Sequence, residues 1–137
     1  MKRHAALQAL SREHHTALVL ALACTRAASG DGATRLAACE RAARQFEAEL
    51  EPHFRQEEAA LLPLLQEAGE QELVRRTLDD HAVLRTLAKS LGEQDTASLA
   101  EFARQLSGHV RFEEQTLFPA AELAVPEHRL IAALAAG

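Results

Sequence analysis

Two stretches of this 137-residue chain decide its fold: residues 53–63 read HFRQEEAALLP, and residues 109–119 read HVRFEEQTLFP. Six of the eleven positions are identical, namely the His, the Arg, both Glu, the Leu and the Pro. A weaker match lies upstream of each copy, with HTAL from His15 and HAVL from His81. The chain therefore contains two units of similar design, each with one early His and a later His-x-x-x-Glu.

The composition favours helices over strands. Ala, Leu, Glu, Arg and Gln dominate, Val and Ile are few, and Trp and Tyr are absent. These abundant residues are strong helix formers, whereas strands need β-branched and aromatic residues. At 47% hydrophobic and 26% charged residues, the chain has an ordinary globular balance. We predict an all-α fold in one domain over residues 1–137.

Glycines and prolines divide the chain into four long helices and a short C-terminal helix. Short connections between long helices are typical of an antiparallel up-down four-helix bundle. Pro52 and Pro63 fall inside the second helix, where we expect kinks. The predicted helices cover residues 11–28 with Ser11 as N-cap, 33–68, 71–91 and 96–124, with Pro126 opening the short last one.

The second and fourth helices each carry a seam of inward-facing residues spaced by three and four. Both seams are apolar at their ends and place a His and a Glu in the middle. A buried carboxylate without a partner costs several kcal/mol, so two such residues need a counter-charge. The seams are Leu36, Cys39, Ala43, Phe46, Leu50, His53, Glu57, Ala60 and Leu64, then Leu99, Phe102, Leu106, His109, Glu113, Thr116, Ala120 and Leu123.

The His-x-x-x-Glu spacing points to metal binding. Residues four apart share one face of a helix, about 5–6 Å apart at Cβ, so the imidazole and the carboxylate can reach one metal or two adjacent metals. Two such pairs and two further His offer four nitrogens and two carboxylates. This donor set suits iron or manganese better than a thiolate zinc site.

Taken together, these motifs resemble the hemerythrin-like (HHE cation-binding) four-helix-bundle family over nearly all of the chain. The motifs are SREHH, HFRQEEAALLP, DDHAVL and HVRFEEQTLFP, in that order. The resemblance implies two iron ions, joined by an oxo or hydroxo bridge. It also implies that His53, His81 and His109 are terminal iron ligands and that Glu57 and Glu113 bridge the two irons.

The first helix offers two candidate ligands, His14 and His15. The two side chains point about 100° apart, so we expect one of them to face the core. Aligning Leu18 with Leu84 favours His15, and this is the preferred choice. Aligning Glu13 with the acid before His81 favours His14.

The third helix lacks the second His that oxygen-carrying hemerythrins have. Arg85 follows His81 by four residues, and Thr77 precedes it by four. Each iron would then receive two His, share two carboxylates and keep an open position. This symmetric arrangement resembles the iron-cluster-repair and nitric-oxide-linked members more than the oxygen carriers.

The resemblance implies a non-haem di-iron protein that binds, senses or reacts with oxygen, nitric oxide or peroxide, or that handles iron. We predict a protein that binds metal and a small ligand rather than a dedicated enzyme. Two alternatives stay open: a di-iron oxidoreductase that consumes peroxide or nitric oxide, and a metal-free helical interaction module. The sequence leaves the oligomeric state open.

Charge and cysteine content limit the partners and the location. A net charge of -5 and a pI near 5.8 argue against nucleic-acid binding. No apolar run approaches the roughly 20 residues of a membrane span. Two cysteines cannot staple a fold of this size, so we expect a reducing cytoplasm. Cys24 and Cys39 are interpreted as small buried thiols, with a redox pair as the alternative.

The remaining charged residues are assigned supporting roles. Glu58 and Glu114 are expected beside the ligands or on the surface rather than on the metal, paired with the Arg of each repeat, Arg55 and Arg111. Asp80 is expected on the helix surface, with the alternative that it orients a neighbouring His. His4 and His128 are expected at the surface.

Overall fold

The computed structural model describes residues 3–136, which form five helices and contain no strand. We number the helices α1 to α5 in chain order. None of them, within the described residues, has the length and apolarity needed to cross a bilayer. They are α1 at Ala5–Ala28, α2 over residues 32–67, α3 at Gln71–Gly92, α4 over residues 99–124 and α5 at Glu127–Ala136.

The helix boundaries mostly agree with the prediction. The Asp31 carboxylate accepts a hydrogen bond from the Thr34 N–H at 2.8 Å and so caps the start of α2. Asp95 caps a short 3-10 turn at Thr96–Ser98 that leads into α4. The start of α1 was predicted wrongly, because α1 begins at Ala5 and Ser11 lies inside it.

Helices α2 and α4 are interrupted by wide π-helical turns. Pro52, Pro63 and Pro119 each follow such a turn at the second position of the next α-helical segment. A proline has no N–H to donate, and its ring clashes with the carbonyl four residues earlier, so a widened turn accommodates it. The three π turns are Phe46–Leu50, Glu57–Leu61 and Glu113–Leu117.

The π turn in α4 changes which residues face the core. A π turn holds one more residue than an α turn, so the seam beyond Glu113 moves on by one position. The predicted Thr116 and Leu123 are exposed, and Ala120 is only partly buried. The residues buried in their place are Leu117, Phe118 and Ala121.

The seam of α2 shows the same change after its second π turn. Leu65 is fully buried, whereas the predicted Leu64 is only partly buried. Leu36, at the other end of the predicted seam, is exposed. The middle of the seam, from Phe46 to Glu57, is buried as predicted.

Two apolar clusters occupy the interior, one on each side of a layer of polar residues. One cluster includes Leu20, Phe46 and Phe102 near the α1–α2 turn. The other lies near the opposite end and includes Phe118 and Leu130. Helix α5 contacts both α1 and the second π turn of α2, with Leu130 fully buried. The polar layer therefore lies within the protein rather than at an open end.

Candidate metal centre

Six polar side chains from α1, α2, α3 and α4 meet in this layer. Each of the four helices contributes one His, and α2 and α4 each add one Glu. The His side chains are at most 4% exposed, and both Glu are fully buried. The six are His14, His53, Glu57, His81, His109 and Glu113.

These side chains form two groups that share their carboxylates. His14 and His53 group with both Glu, and so do His81 and His109. Within each group, the candidate ligand atoms lie within 4.8 Å of one another. We call the two groups the His14–His53 half and the His81–His109 half.

In the His14–His53 half, each imidazole faces a different carboxylate. The Nε2 atom of His14 lies 2.7 Å from Oε1 of Glu113. The Nε2 atom of His53 lies 3.1 Å from Oε2 of Glu57. The two rings are tilted at 51° with their centroids 4.9 Å apart.

The His81–His109 half repeats this arrangement. The Nε2 atom of His81 lies 3.0 Å from Oε1 of Glu57, and that of His109 lies 3.2 Å from Oε2 of Glu113. Each Glu thus presents one oxygen to a His of each half. This is the arrangement that a carboxylate shared between two metals requires.

The Nδ1 atom of every one of these His donates to a second, outer carboxylate. Such outer carboxylates fix the ring orientation and tautomer, so that the Nε2 lone pair is the one offered to a metal. The four pairs are His14 with Glu114 at 2.6 Å, His53 with Glu13 at 2.7 Å, His81 with Glu58 at 2.7 Å, and His109 with Asp80 at 2.9 Å.

Four inward-facing atoms fit a metal better than they fit one another. They are buried and have no hydrogen-bond partner, although the His–Glu distances within each repeat are short. Buried polar atoms are normally paired, and orphans of this kind mark a missing partner such as an ion. The four atoms are Nε2 of His53 and His109, and Oε2 of Glu57 and Glu113.

The carboxylates shift the pKa values of the imidazoles strongly. Burial lowers the pKa of His53, but the charge of Glu57 and contacts with Glu113 and Glu13 outweigh it and raise the pKa to about 12. His109 behaves in the same way beside Glu113 and Asp80, with a pKa of about 10. Without metal, these imidazoles therefore carry protons that neutralise the buried carboxylates.

The opposite shift affects the carboxylate of Glu113. Burial alone raises its pKa, yet the imidazolium of His109 and the rings of His14 and His53 hold the pKa well below the usual range. The group is thus ionised throughout the physiological range. An ionised carboxylate with no exposure is a strong ligand for a hard or borderline cation.

Aromatic rings cover the imidazoles on their other faces. Phe54 stacks on His81 with the ring centroids 3.9 Å apart, and Phe118 stacks on His14 at 5.3 Å. The sequence repeat does not predict these contacts, because the equivalent positions hold Val110 and Leu62. The stacked rings keep water away from the cluster and fix the planes of the imidazoles.

Five of the predicted ligand residues meet as expected, and the first helix requires a correction. His14 lies in the cluster, whereas the preferred His15 is exposed. The match of Glu13 to Asp80 was the correct guide, because both acids donate no proton and accept one from an imidazole of the following helix. The match of Leu18 to Leu84 was misleading, since Leu18 is 39% exposed and Leu84 is fully buried.

The partners of Glu58 and Glu114 also differ from the prediction. Arg85 donates to Glu58, and Arg3 donates to Glu114. The arginines of the repeat turn elsewhere, since Arg55 pairs with Glu51 and Arg111 donates to a serine one turn away. Glu58 and Glu114 are thus each held by an arginine from outside the repeat, which repeat analysis cannot find.

The other cysteines, histidines and the threonine considered in the sequence analysis lie outside the cluster. Cys24 and Cys39 are free and buried, and burial raises the pKa of the Cys24 thiol to about 11. His128 is exposed, but His4 is partly buried. Thr77 is fully buried and donates its hydroxyl proton to a backbone carbonyl at 2.8 Å, so its position adds no nitrogen to the cluster.

A helical bundle with a buried His and Glu cluster defines a class of cation-binding proteins. Residues 5–121 match the family described as the hemerythrin HHE cation binding domain, so the chain belongs to that family. No curated protein and no solved structure matched the chain.

Proposed function

We propose that the chain is a di-iron protein that binds a small ligand. His14 and His53 would hold one ion, His81 and His109 the other, and Glu57 and Glu113 would join both. The observation that carries the proposal is the orientation of the four imidazoles, whose Nδ1 atoms are all tied outward while their Nε2 atoms all face two buried carboxylates.

The choice of iron rests on the donor set. Imidazole nitrogens and carboxylate oxygens suit iron, manganese and related metals, and neither cysteine lies in the cluster. Iron in such a site supplies redox chemistry and open coordination positions. The protein contributes two buried negative charges, four fixed rings and an apolar surround.

The number of ligands supports a reactive centre rather than a saturated one. Each half offers two imidazoles and a share of two carboxylates. Thr77 provides no further nitrogen, and Arg85 points to Glu51 and Glu58 rather than to the cluster. We infer that both ions keep a position for an outside ligand such as oxygen, nitric oxide or peroxide.

The bundle itself is proposed to run up-down and antiparallel. Short connections over residues 29–31, 68–70 and 93–98 join consecutive long helices, which favours this topology. It would make α2 and α4 run in the same direction and bring the two repeats to the same depth. Each repeat would then supply equivalent ligands to one layer.

Metal analysis combined with spectroscopy tests the proposal. Purified protein loaded with Fe²⁺ without air is expected to hold close to two irons per chain. Admitting oxygen is expected to give ferric absorption bands without a long-lived oxygen adduct, and azide or nitric oxide is expected to alter the spectrum. A chain that retains no tightly bound metal after this treatment would overturn the proposal. A reversible oxygen adduct would instead identify an oxygen carrier.

A further inference from the structure

The four outer carboxylates are not held equally. Arginines donate to three of them, and the side chains of these three acids are between 17% and 31% exposed. These three pairs are Arg85 with Glu58, Arg76 with Asp80, and Arg3 with Glu114. An acid that is tied to an arginine holds its imidazole firmly, because moving the ring would also disturb a charge-assisted hydrogen bond.

Glu13 is the loosest of the four. Its side chain is 54% exposed, and its one side-chain hydrogen bond in the described structure goes to Nδ1 of His53. The ring of His53 therefore depends on a single, solvent-facing partner. Rotating this ring breaks fewer interactions than rotating His81, whose partner Glu58 is bound twice by Arg85.

A cavity of about 230 Å³ lies beside this loose pair, between α1 and α2. His53 lies on its buried side, and the exposed residues Glu13, Thr16, Ala48 and Glu49 lie at its rim. The cavity meets α2 at the first π turn, where the backbone is widened. A larger groove of about 610 Å³ between α2 and α3 reaches Arg85 but touches none of the six inner side chains.

The position of His53 makes it the wall between this cavity and the cluster. Its Nδ1 edge faces Glu13 at the cavity, and its Nε2 edge faces Glu57 in the buried layer. A swing of this one ring would connect the two spaces. The carboxylates of Glu13 and Glu49 give the opening a negative charge, which attracts a divalent cation.

We propose that Fe²⁺ enters and leaves the centre through the cavity between α1 and α2, past the ring of His53. This inference rests on the proposed di-iron function. The ion of the His14–His53 half exchanges faster than the ion of the His81–His109 half. Glu13 acts as a positioning residue that holds the ring closed.

Filling the cavity tests the route. Ala48→Phe and Thr16→Phe place a bulky ring at exposed rim positions, on α2 and α1 respectively. Ala82→Phe is the matched control, because Ala82 is exposed on α3 and lines a shallow depression that includes none of the six cluster residues. Metal-free protein is mixed with Fe²⁺ without air, and uptake and release to a chelator are followed in time.

The filled variants are expected to take up and release iron about tenfold more slowly than the wild type, with the same final content. Glu13→Ala is expected to speed both processes, because it frees the ring of His53. Circular dichroism checks that each variant is folded. If one filled variant does not fold, the other filled variant and Glu13→Ala decide the matter.

The outcomes test the di-iron function and the route of iron entry separately. A wild-type chain that binds no iron contradicts the di-iron function itself. A wild type that loads fully, with filled variants as fast as Ala82→Phe and Glu13→Ala unchanged, leaves the centre standing but rules out this route.

Discussion

The two halves of the cluster have the same kinds of inner side chains and different surroundings. Each half has two imidazoles on two shared carboxylates, at Nε2–oxygen distances between 2.7 and 3.2 Å. In the His81–His109 half, both outer acids are bound by arginines. In the His14–His53 half, Glu114 is bound by Arg3, but Glu13 faces solvent beside a cavity.

This difference shows which part of the sequence determines which property. The repeat supplies the His and Glu pairs of α2 and α4, so it determines both carboxylates and two of the four imidazoles. The residues that distinguish the halves, Arg3, Arg76, Arg85 and Glu13, all lie outside the repeat. If the proposed entry route is correct, two copies of one motif give two metal positions with different rates of exchange.

Removing a shared carboxylate should weaken metal binding in both halves at once. Glu57→Ala deletes an oxygen ligand from both halves, and we expect the iron content to fall from about two ions to less than about one per chain. Elemental analysis after anaerobic loading measures this loss. Glu47→Ala, an exposed residue of the same helix, is the control and should keep both ions. Equal metal contents in the two variants would show that Glu57 is not a shared ligand.

Removing one imidazole should empty one half and spare the other. His14→Ala is expected to leave about one ion per chain, since the His81–His109 half keeps its ligands. His15→Ala is expected to keep both ions, because His15 is exposed. The same elemental analysis, done in parallel, compares the two. A larger loss of iron from His15→Ala than from His14→Ala would show that His15, and not His14, binds the metal.

The stability of the metal-free protein and its affinity for metal should depend on pH in opposite directions. The pKa values of His53 and His109 are raised in the metal-free fold, so their contribution to stability is complete below about pH 6.5. It is lost as the pH rises towards 10 for His109 and 12 for His53. The thermal midpoint of the metal-free protein should therefore fall as the pH rises from 6.5 to 10.

Metal affinity should move in the opposite direction over the same range. A metal ion must displace the protons of both imidazoles, so affinity should rise by about tenfold per pH unit for each proton released. Calorimetric titration in buffers of different ionisation enthalpy counts these protons. An affinity that does not change between pH 6.5 and 8.5 would contradict the protonated state of the cluster.

Replacing an outer acid by its amide should lower the metal affinity by a different amount in each half. Glu58→Gln is expected to reduce the affinity for one ion by about 10- to 100-fold, because it loosens His81 and leaves Arg85 without one of its two acids. Glu13→Gln is expected to have a smaller effect, since Glu13 is more than half exposed and has no arginine partner. Competition with a coloured chelator gives both affinities. A larger loss from Glu13→Gln would reverse the order of the halves.

The family, the helical class and the convergence of His53, Glu57, His81, His109 and Glu113 were predictable from the sequence. The i, i+4 spacing and the repeat contain this information, because both concern residues on one helical face. The choice between His14 and His15 was not decided by spacing, since neighbouring residues each fit one alignment. The di-iron content, the small ligand and the cytoplasmic location stay predictions.

The arginine partners of the outer acids and the buried residues at the ends of the seams could not be predicted from the sequence. The reason differs from that for His14 and His15. Arg85 and Arg3 meet Glu58 and Glu114 from other helices, and such contacts depend on how the helices pack. Thr116 and Leu123 were assigned inward because an uninterrupted α-helical period was assumed. The proline that ends each repeat was the available signal that the period changes.

The π turns also have a genetic consequence. Ala59 and Gln115 are exposed residues within these turns, so replacing either side chain should be tolerated. Deleting the codon of either is a different event, because it would restore a regular α-helix in which the ring of the following proline clashes with the carbonyl four residues earlier. Leu117 would then stand three residues after Glu113 and keep its inward face, so the cost would arise at Pro119. Natural variants of these segments are therefore expected to differ in residue type at the exposed positions but not in length.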